Sequence, residues 1–443
     1  MTPRSGLFVD LYQLTMGESY LAQGLSEREA TFSVFFRSLP AGRGYLLAAG
    51  LEDALRYLEE LRFSDDDLAY LEGAGLFSAA FLERLRSLRF SGSVRAVPEG
   101  TAVFPGEPLL EVTAPILEAQ IAETMVLNAL HLQTLVASKA ARSVEAAGGR
   151  TLVDFSLRRT HGGEAGLKVA RASYFAGFDA TSNVLAGRRY GIPLAGTMAH
   201  SYVQSFGDEL AAFRAFARAY PDDAILLVDT YDTLEGARLA VAVAHELEED
   251  GHRLRGVRLD SGDLVELSRR VRDLLDRAGF ADATIFASGG LDEAEIARLV
   301  EAGAAIDGFG VGTKMGVSAD APFLDLVYKL VEVDGRPVLK LSPGKATLPG
   351  RKQVWRIRRD GLAAHDVLGL ADSGGDGEPL LHEVMRDGRA TWSEPLVESR
   401  ERARRERESL PDGVRALTAT PYEVLVGADV AALRDRLSAE AVS

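Results

Sequence analysis

Two segments of the sequence end a run of apolar residues in an aspartate that is followed by a hydroxyl residue. They read LLVDTYDT, with Asp229 at the end of the run, and VRLDSGDL, with Asp260 in the same position. Such carboxylates can accept ribose hydroxyls or hold magnesium, since a hard cation prefers oxygen ligands. They can also cap the following helix. Asp232 and Asp263 fit the capping role better, which leaves Asp229 and Asp260 as candidates for chemistry.

Two further apolar runs end in glycine-rich turns, within TIFASGG and IDGFGVGTKMG. Glycine lets backbone N–H groups approach and hold a phosphate, and a hydroxyl side chain adds a donor. The alternative is a tight turn that needs glycine for its backbone angles alone. The candidate phosphate-binding residues in these turns are Ser288, Gly289, Gly290, Gly310, Gly312 and Thr313.

Three arginines, Arg158, Arg159 and Arg258, also stand close to the ends of apolar runs. A guanidinium group offers a planar fork that fits a carboxylate or a phosphate. Each arginine could instead pair with one of the many acidic residues. Taken with the aspartates and the glycine turns, the arginines indicate a phosphorylated sugar and a second, anionic substrate.

His200 lies in LAGTMAHSYVQSF, just past a short apolar run. No second histidine stands at ligand spacing nearby, which argues against a metal site built on it. An imidazole that is neutral near pH 7 is a nucleophile or a base. A histidine packed in the core is the other interpretation, and the position alone does not decide between them.

Short apolar runs alternate with helical patterns from about residue 150 to residue 315. Strands buried on both faces have this pattern, and their alternation with helices predicts right-handed crossovers and a parallel sheet. The candidate residues all follow the carboxyl ends of these runs, and the ends of parallel barrel strands converge on one rim. We therefore predict an α/β barrel with strands in TLVDFS, IPLAGT, AILLVDT, GVRLDS, TIFASG and IDGFGVG.

The segments outside the barrel have a different character. Residues 1–114 mix helical and strand patterns, whereas residues 115–320 begin with a long, Ala-rich helix and then carry the barrel. Residues 321–443 contain short strands joined by turns and a charged helix, LVESRERARRERESLPDG. We expect this β-rich region to pack with the N-terminal one as a second α+β domain.

Composition excludes several classes of function. The 50 Lys and Arg residues against 65 Asp and Glu give a net charge of -15, which disfavours nucleic acids and anionic membranes as partners. The sequence has neither an apolar run long enough to span a membrane nor a secretion signal, which favours a cytoplasmic protein. Its lack of cysteine excludes disulfides, thiolate nucleophiles and cysteine-bound zinc.

The ordered motifs resemble those of the nicotinate phosphoribosyltransferase family. The resemblance runs through DLYQLTM, FSLRR, GFDATSNVLAG, GTMAHSYVQSF, LLVDTYDT and VRLDSGDL to VYKLVEVDGRPVLKLSPGKATLPGRKQVWR. It implies an irregular α/β barrel of the type II phosphoribosyltransferase kind. It also implies transfer of phosphoribose from phosphoribosyl pyrophosphate to nicotinate in NAD salvage, giving nicotinate mononucleotide and pyrophosphate, with Mg²⁺ as cofactor and ATP as co-substrate.

The resemblance implies a role for each candidate. Tyr12 and Phe155 would stack on the pyridine ring, and Thr197 and Arg258 would bind the nicotinate carboxylate. His200 would accept a phosphoryl group from ATP. The resemblance also implies a homodimer in which the aromatic residue near the N-terminus of one subunit reaches the active site of the other. Asp229 and Asp260 would position ribose and metal. The residues expected to bind phosphoribosyl pyrophosphate are Arg158, Ser288, Gly289, Gly290, Gly310, Gly312 and Thr313.

Selectivity for the acid is also predicted. Nicotinamide-specific relatives have an aspartate that binds the amide group, and the matching position here is Ser182. The sequence departs from many relatives at Val9, where they have threonine, and in the loop that contains His161, which we interpret as a structural residue.

Other functions are compatible with the same motifs. They are a nicotinamide or quinolinate phosphoribosyltransferase and a non-catalytic phosphosugar sensor on the same fold. A barrel aldolase is disfavoured, because no predicted strand contains a Schiff-base lysine and Lys314 lies beyond the glycine turn.

Overall fold

The computed structural model describes residues 5–342 and 347–441, and the chain forms two compact units. One unit combines Met1–Ser138 with Ala321–Ser443, and the other is Lys139–Asp320. The prediction of a second α+β domain made from both ends of the chain is confirmed. The predicted ranges of the domains stay a prediction, and the division at Lys139 lies inside a long helix rather than at its start.

The helices are numbered in chain order, and the 3₁₀ turn at Leu157–Arg159 is not numbered. Within the described part of the chain, no helix is both long enough and apolar enough to cross a membrane. The helices are α1 (Leu11–Ala22), α2 (Leu51–Glu60), α3 (Asp65–Ala74), α4 (Ala79–Ser87), α5 (Ile116–Ala147), α6 (Gly163–Ala176), α7 (Val184–Tyr190), α8 (His200–Phe206), α9 (Glu209–Ala219), α10 (Thr233–Glu249), α11 (Leu264–Arg277), α12 (Glu293–Glu301), α13 (Thr313–Gly316), α14 (Leu396–Ser409), α15 (Asp412–Arg415) and α16 (Ala428–Glu440).

The longest strands, of eight or nine residues, belong to the unit formed from both chain ends. The strands are β1 (Glu29–Phe36), β2 (Leu46–Leu47), β3 (Ser93–Ala96), β4 (Ala102–Val103), β5 (Leu110–Pro115), β6 (Thr151–Asp154), β7 (Ala180–Thr181), β8 (Ile225–Leu227), β9 (Gly256–Leu259), β10 (Thr284–Ala287), β11 (Gly308–Val311), β12 (Leu326–Val333), β13 (Arg336–Pro337), β14 (Lys352–Arg359), β15 (Leu362–Leu370), β16 (Glu378–Pro379), β17 (His382–Arg386), β18 (Arg389–Ala390) and β19 (Val424–Val426).

The Lys139–Asp320 unit is organised around a parallel sheet in the order β7-β6-β11-β10-β9-β8. Every crossover between its neighbouring strands contains a helix, as the alternating pattern predicts. The helices α10 and α11 begin where expected, because Asp232 accepts hydrogen bonds from the first backbone N–H groups of α10 and Asp263 does the same for α11. These two aspartates are therefore helix caps.

One predicted strand of the sheet is wrong. The segment IPLAGT forms only an isolated bridge between Leu194 and Thr181, and the strand beside β6 is instead β7. Pro193 has no backbone N–H to donate, so the segment can exchange hydrogen bonds with Thr181 only through the Pro193 carbonyl and the Ala195 N–H.

Both edges of the sheet reach the same interior. A cavity of about 410 Å³ is lined by Ile225 of the edge strand β8, by Leu194 next to the opposite edge, and by Val153 and Phe286 of strands between them. A flat sheet would keep its edges apart. The sheet therefore curls into an incomplete barrel, which confirms the predicted irregular α/β barrel.

The unit formed from both chain ends is built on a largely antiparallel sheet in the order β13-β12-β1-β5-β3-β17-β18. The inner strand β1 pairs with β5 from the N-terminal segment and with β12 from the C-terminal one. Phe32 of β1 and Tyr328 of β12 stack with ring centroids 4.7 Å apart. The two chain segments therefore share one sheet and one core.

Candidate active site

The carboxyl ends of the parallel strands surround a cavity of about 470 Å³. This volume is within the usual range for a small-molecule site. Its lining includes one residue that the sequence linked to selectivity, Ser182. The other lining residues that the sequence nominated are Phe155, Arg158, Thr197, His200, Arg258, Asp260 and Ser288.

Arg258, on β9, is the cation that the chain orients most firmly in this cavity. Its Nη1 donates to Thr197 Oγ1 at 2.7 Å and its Nη2 donates to the Met198 carbonyl at 2.9 Å. Its Nε is buried and has no hydrogen-bond partner among the described residues. Burial lowers the pKa of Arg258, an effect that the nearby Asp260 and Asp229 oppose. A guanidinium group remains charged at neutral pH, so Arg258 can attract an anion.

Asp229 lies two residues beyond β8, where it supports the loop that carries Asp260. Its Oδ2 accepts hydrogen bonds from the Asp260 backbone N–H at 2.9 Å and from Ser261 Oγ at 2.6 Å. The other oxygen, Oδ1, is buried without a hydrogen-bond partner in the described part of the chain. An unsatisfied buried carboxylate oxygen is costly, so Oδ1 is suited to a ligand hydroxyl or a hard cation.

Asp260 is linked to the loop after β10. Ser288 Oγ donates a short hydrogen bond to Asp260 Oδ1. Gly289 approaches the same residue so closely that a Cβ atom there would lie 2.0 Å from the Asp260 carbonyl oxygen. With a φ of +94°, Gly289 also has a backbone conformation that favours glycine. The glycine is therefore required by packing, and its predicted contact with phosphate stays a prediction.

His200 is the first residue of α8 and faces two groups from other strand ends. Its Nδ1 lies 3.1 Å from Thr230 Oγ1, and its Nε2 lies 3.8 Å from Asp260 Oδ2. When Nδ1 donates to the threonine hydroxyl, Nε2 carries the lone pair. The side chain is 39% exposed. His200 is thus not enclosed in the core, and it lines the cavity.

Phe155 forms an aromatic wall of the cavity. Its backbone N–H donates to the Val311 carbonyl at 2.9 Å, and its ring lies 6.1 Å from that of Phe286. A Cβ atom at Gly310 would lie 2.5 Å from the Phe155 ring. Gly310 is inside β11 and leaves room for the ring, so its predicted contact with phosphate also stays a prediction.

The remaining nominated residues are not fixed by hydrogen bonds in the same way. Arg158 is exposed in the 3₁₀ turn, Gly312 precedes α13, and Thr313 is the exposed first residue of α13. Gly290 has a φ of +68° and open space around it. Tyr12 belongs to the other unit, where it is nearly half exposed on α1, and burial together with Glu123 raises its pKa. The predicted roles of these residues stay predictions.

The predicted magnesium site is a pair of carboxylates rather than a cage. Among the described residues, no group of three or more histidine, aspartate or glutamate side chains is arranged to hold a metal ion. Asp229 Oδ1 and the half-exposed Asp260 still offer oxygen atoms to a cation. These residues fit Mg²⁺ if the substrate's own phosphate oxygens supply the other ligands.

Sequence reasoning missed the residues that hold the nominated ones. Thr230 contacts His200, and Ser261 contacts Asp229. Asp154 and Thr181, the residues that precede Phe155 and Ser182, bond to each other. The sequence pattern that could have identified two of them is the aspartate followed by a hydroxyl residue, since Thr230 follows Asp229 and Ser261 follows Asp260. His161, interpreted as structural, is exposed just before α6.

Comparisons with known proteins show which family the chain resembles. The model for the nicotinate phosphoribosyltransferase (NAPRTase) N-terminal domain matches residues 7–131, and that for the nicotinate phosphoribosyltransferase (NAPRTase) family matches residues 150–360. The chain is 51% identical over 438 residues to nicotinate phosphoribosyltransferase pncB2 of Mycobacterium tuberculosis, an alignment that covers 98% of this chain and 92% of that protein.

Two further proteins similar to this chain are also phosphoribosyltransferases of nicotinate. The chain is 48% identical over 360 residues to nicotinate phosphoribosyltransferase of Bacillus subtilis, with coverage of 79% of this chain and 73% of that protein. It is also similar to the crystal structure of human nicotinic acid phosphoribosyltransferase, with a TM-score of 0.87 and 33% identity, over 97% of this chain and 99% of that chain.

Proposed function

The chain belongs to the nicotinate phosphoribosyltransferase family, and from that premise we propose how its cavity performs the reaction. The enzyme transfers phosphoribose from phosphoribosyl pyrophosphate to the ring nitrogen of nicotinate, giving nicotinate mononucleotide and pyrophosphate in NAD salvage. The observation that carries this proposal is the meeting, in one cavity, of the oriented cation Arg258, the aromatic wall Phe155 and the carboxylate of Asp260.

Transfer breaks the bond between the anomeric carbon and pyrophosphate and forms a bond from the same carbon to the pyridine nitrogen. The nitrogen attacks with its own lone pair, so no proton has to move. Positive charge develops on the ribose ring while pyrophosphate leaves. The protein therefore contributes mainly by holding the two substrates in line and by placing negative groups near the ribose.

Nicotinate would occupy the side of the cavity between Phe155 and Arg258. The ring would stack on Phe155, and the carboxylate would face the guanidinium that Thr197 orients. Ser182 lines the same cavity and brings no negative charge to it. An aspartate at position 182 would repel the carboxylate of nicotinate. The serine present here therefore favours the acid over the amide.

Phosphoribosyl pyrophosphate would occupy the side that contains Asp260 and Ser288, beside Asp229, which is bonded to the Asp260 backbone. The carboxylates are suited to the ribose hydroxyls, and Arg158 is exposed and available to phosphate oxygens. The predicted phosphate ligands Gly289, Gly290, Gly310, Gly312 and Thr313 complete this part of the proposal. Magnesium, when bound with the substrate, would neutralise charge on the pyrophosphate leaving group.

We further propose that ATP phosphorylates His200. A neutral imidazole is a competent phosphoryl acceptor, and the lone pair on Nε2 is free when Thr230 holds Nδ1. The added negative charge would change the electrostatics next to Asp260. A homodimer in which the partner's Tyr12 completes the site, and a cytoplasmic location, belong to the same proposal.

The reaction is tested by incubating the purified protein with phosphoribosyl pyrophosphate and Mg²⁺ and offering nicotinate, nicotinamide or quinolinate as acceptor. We expect nicotinate mononucleotide and stoichiometric pyrophosphate with nicotinate, and little product with the other two. Preferred use of nicotinamide or quinolinate would support the competing enzymes. Binding of phosphoribosyl pyrophosphate without pyrophosphate release from any acceptor would support the non-catalytic sensor.

The ATP step needs its own experiment. The wild type and His200→Ala are incubated with ATP labelled in the γ-phosphate, and acid-labile protein-bound label is counted. We expect labelling of the wild type alone. Equal labelling of both proteins would contradict the role of His200, while leaving the transfer reaction itself unaffected.

A further inference from the structure

Asp154 is a buried carboxylate that the reaction described above does not use. It is the last residue of β6 and is 1% exposed. Its Oδ1 accepts a hydrogen bond from the Ser156 backbone N–H at 2.9 Å, and its Oδ2 accepts one from Thr181 Oγ1 at 2.8 Å. One side chain therefore bonds to the ends of two neighbouring strands.

The same two strand ends are also joined through the backbone. Asp154 and Thr181 are register partners in the parallel pair β6 and β7, and the Ser182 N–H donates to the Asp154 carbonyl at 2.9 Å. Thr181 Oγ1, which donates to Asp154, accepts in turn from the Asn183 N–H at 3.0 Å. The turn after each strand is thus fixed to the Asp154 residue.

The residues carried by these two turns are the ones that line the cavity. Phe155 lies between Asp154 and Ser156, and Ser182 lies between Thr181 and Asn183. Each is flanked on both sides by a residue in the hydrogen-bond network of Asp154. A change in that network therefore acts on the backbone on both sides of Phe155 and of Ser182.

We propose that Asp154 is a specificity-determining positioning residue, which sets the separation of Phe155 and Ser182 and so the width of the slot for the carboxylate-bearing edge of the pyridine ring. The inference rests on the proposed function, because it assigns the slot to nicotinate. Asp154 itself is not among the residues that line the cavity.

A carboxylate is suited to this position because both of its partners are donors. An ionised carboxylate only accepts hydrogen bonds, so it satisfies the Ser156 N–H and the Thr181 hydroxyl at once. Burial raises the pKa of Asp154, while its interactions with Ser156 and Thr181 oppose that effect. An asparagine has the same shape but only one acceptor oxygen. If that oxygen accepts from the Ser156 N–H, the NH₂ group faces Thr181, and the Thr181 hydroxyl loses its acceptor.

The test compares Asp154→Asn, Thr181→Val and Thr181→Ser with the wild type. Thr181→Val removes the hydroxyl that joins the two turns, whereas Thr181→Ser retains it and serves as the matched control. The measurements are kcat, the KM values for nicotinate and for phosphoribosyl pyrophosphate, the ratio of nicotinate to nicotinamide turnover, and the midpoint of thermal unfolding.

We expect Asp154→Asn and Thr181→Val to raise the nicotinate KM by about 10-fold or more, the size of effect that follows from losing a hydrogen bond to a charged group. The KM for phosphoribosyl pyrophosphate should change by less than about 3-fold, because that substrate binds elsewhere in the cavity. The preference for nicotinate should fall, and Thr181→Ser should behave like the wild type.

A merely structural role predicts another pattern. The unfolding midpoint would then fall while the nicotinate KM and the acid-to-amide ratio stay at their wild-type values, or both KM values would rise together. If the wild type converts nicotinate, either of these two results overturns the role of Asp154 as a positioning residue. A wild type that does not convert nicotinate overturns the proposed function first. If Asp154→Asn does not fold, the two Thr181 variants give the same distinction.

Discussion

Arg258 Nη1 donates a hydrogen bond of 2.7 Å to Thr197 Oγ1, a residue 61 positions earlier in the chain. The bond, together with that from Nη2 to the Met198 carbonyl, fixes the plane of the guanidinium. The cation is therefore preorganised before any substrate enters. Little free energy is then lost in ordering the Arg258 side chain when nicotinate binds, so more of its attraction for the carboxylate contributes to affinity.

Replacing Arg258 by lysine keeps the charge but removes the planar fork. Lysine cannot reproduce both hydrogen bonds in the same geometry, so the charge is no longer held in one place. We expect the nicotinate KM of Arg258→Lys to rise by roughly 10-fold to 100-fold, given about 1.5–3 kcal/mol for a charged hydrogen bond. Steady-state kinetics with nicotinate varied measures this. Thr197→Val should give a smaller rise, and an unchanged KM in both variants would contradict the assignment.

Gly289→Ala should damage the loop after β10. The new Cβ would lie 2.0 Å from the Asp260 carbonyl oxygen, and the backbone φ of +94° is unfavourable for alanine. We expect a lower unfolding midpoint and at least about a 10-fold loss of kcat/KM for phosphoribosyl pyrophosphate. Gly290→Ala is the matched control, because Gly290 also has a positive φ but a Cβ atom there would meet nothing within 4 Å. Equal damage from both would show that backbone strain, rather than the contact with Asp260, is responsible.

Asp229 and Asp232 lie three residues apart in the same loop but have different partners. Asp229→Asn removes the charge that we assign to ribose and magnesium, and we expect kcat to fall by roughly 100-fold, with more Mg²⁺ needed for half-maximal activity. Asp232→Asn affects a residue that caps α10, so it should leave kcat within about 3-fold. Assays over a range of Mg²⁺ concentrations distinguish the two. Similar kcat values for both variants would contradict the role of Asp229.

A buried ion pair near the start of α12 should matter for stability. Lys139 Nζ lies 2.7 Å from Glu293 Oε2 and 2.7 Å from Asp320 Oδ1, and the Lys139 side chain is almost fully buried. Lys139→Met leaves Glu293 with Arg142 as its remaining cation, so we expect the unfolding midpoint to fall by roughly 5–10 °C. The double variant Lys139→Met with Glu293→Gln should recover part of the loss. A midpoint equal to that of the wild type would show that the pair contributes nothing to stability.

The sequence was sufficient to predict the barrel and much of the cavity, because the strand ends carry the polar residues directly. Phe155, Arg258, Asp260 and Ser288 each follow or end an apolar run, and parallel strands bring such positions together. The strand expected at IPLAGT was wrong, because an apolar run that contains a proline still resembles a strand in composition while it lacks a donor for the ladder.

Long-range hydrogen bonds are what the sequence could not show. Thr197 and Arg258 are far apart in the chain, as are Asp154 and Thr181, and nothing in their local patterns indicates that they bond. The glycines illustrate the opposite difficulty. Gly289 and Gly310 are explained by close packing against Asp260 and Phe155, so a glycine-rich turn alone does not reveal whether a phosphate or the protein itself fills the space.

The most direct test of the central claim is a change at Ser182, the position where we place selectivity for the acid. Ser182→Asp puts a second carboxylate in the cavity where Arg258 is expected to bind the carboxylate of nicotinate. At a separation of about 5 Å, the new carboxylate and that of nicotinate would repel each other by roughly 3 kcal/mol. Ser182→Asn serves as the uncharged control of the same size.

The measurement is the ratio of kcat/KM for nicotinate to that for nicotinamide in the wild type and both variants. We predict that Ser182→Asp lowers this ratio by about 100-fold, mainly through loss of nicotinate turnover, and that Ser182→Asn changes it far less. A ratio that is the same in Ser182→Asp as in the wild type would mean that the substrate's carboxylate does not bind in this cavity.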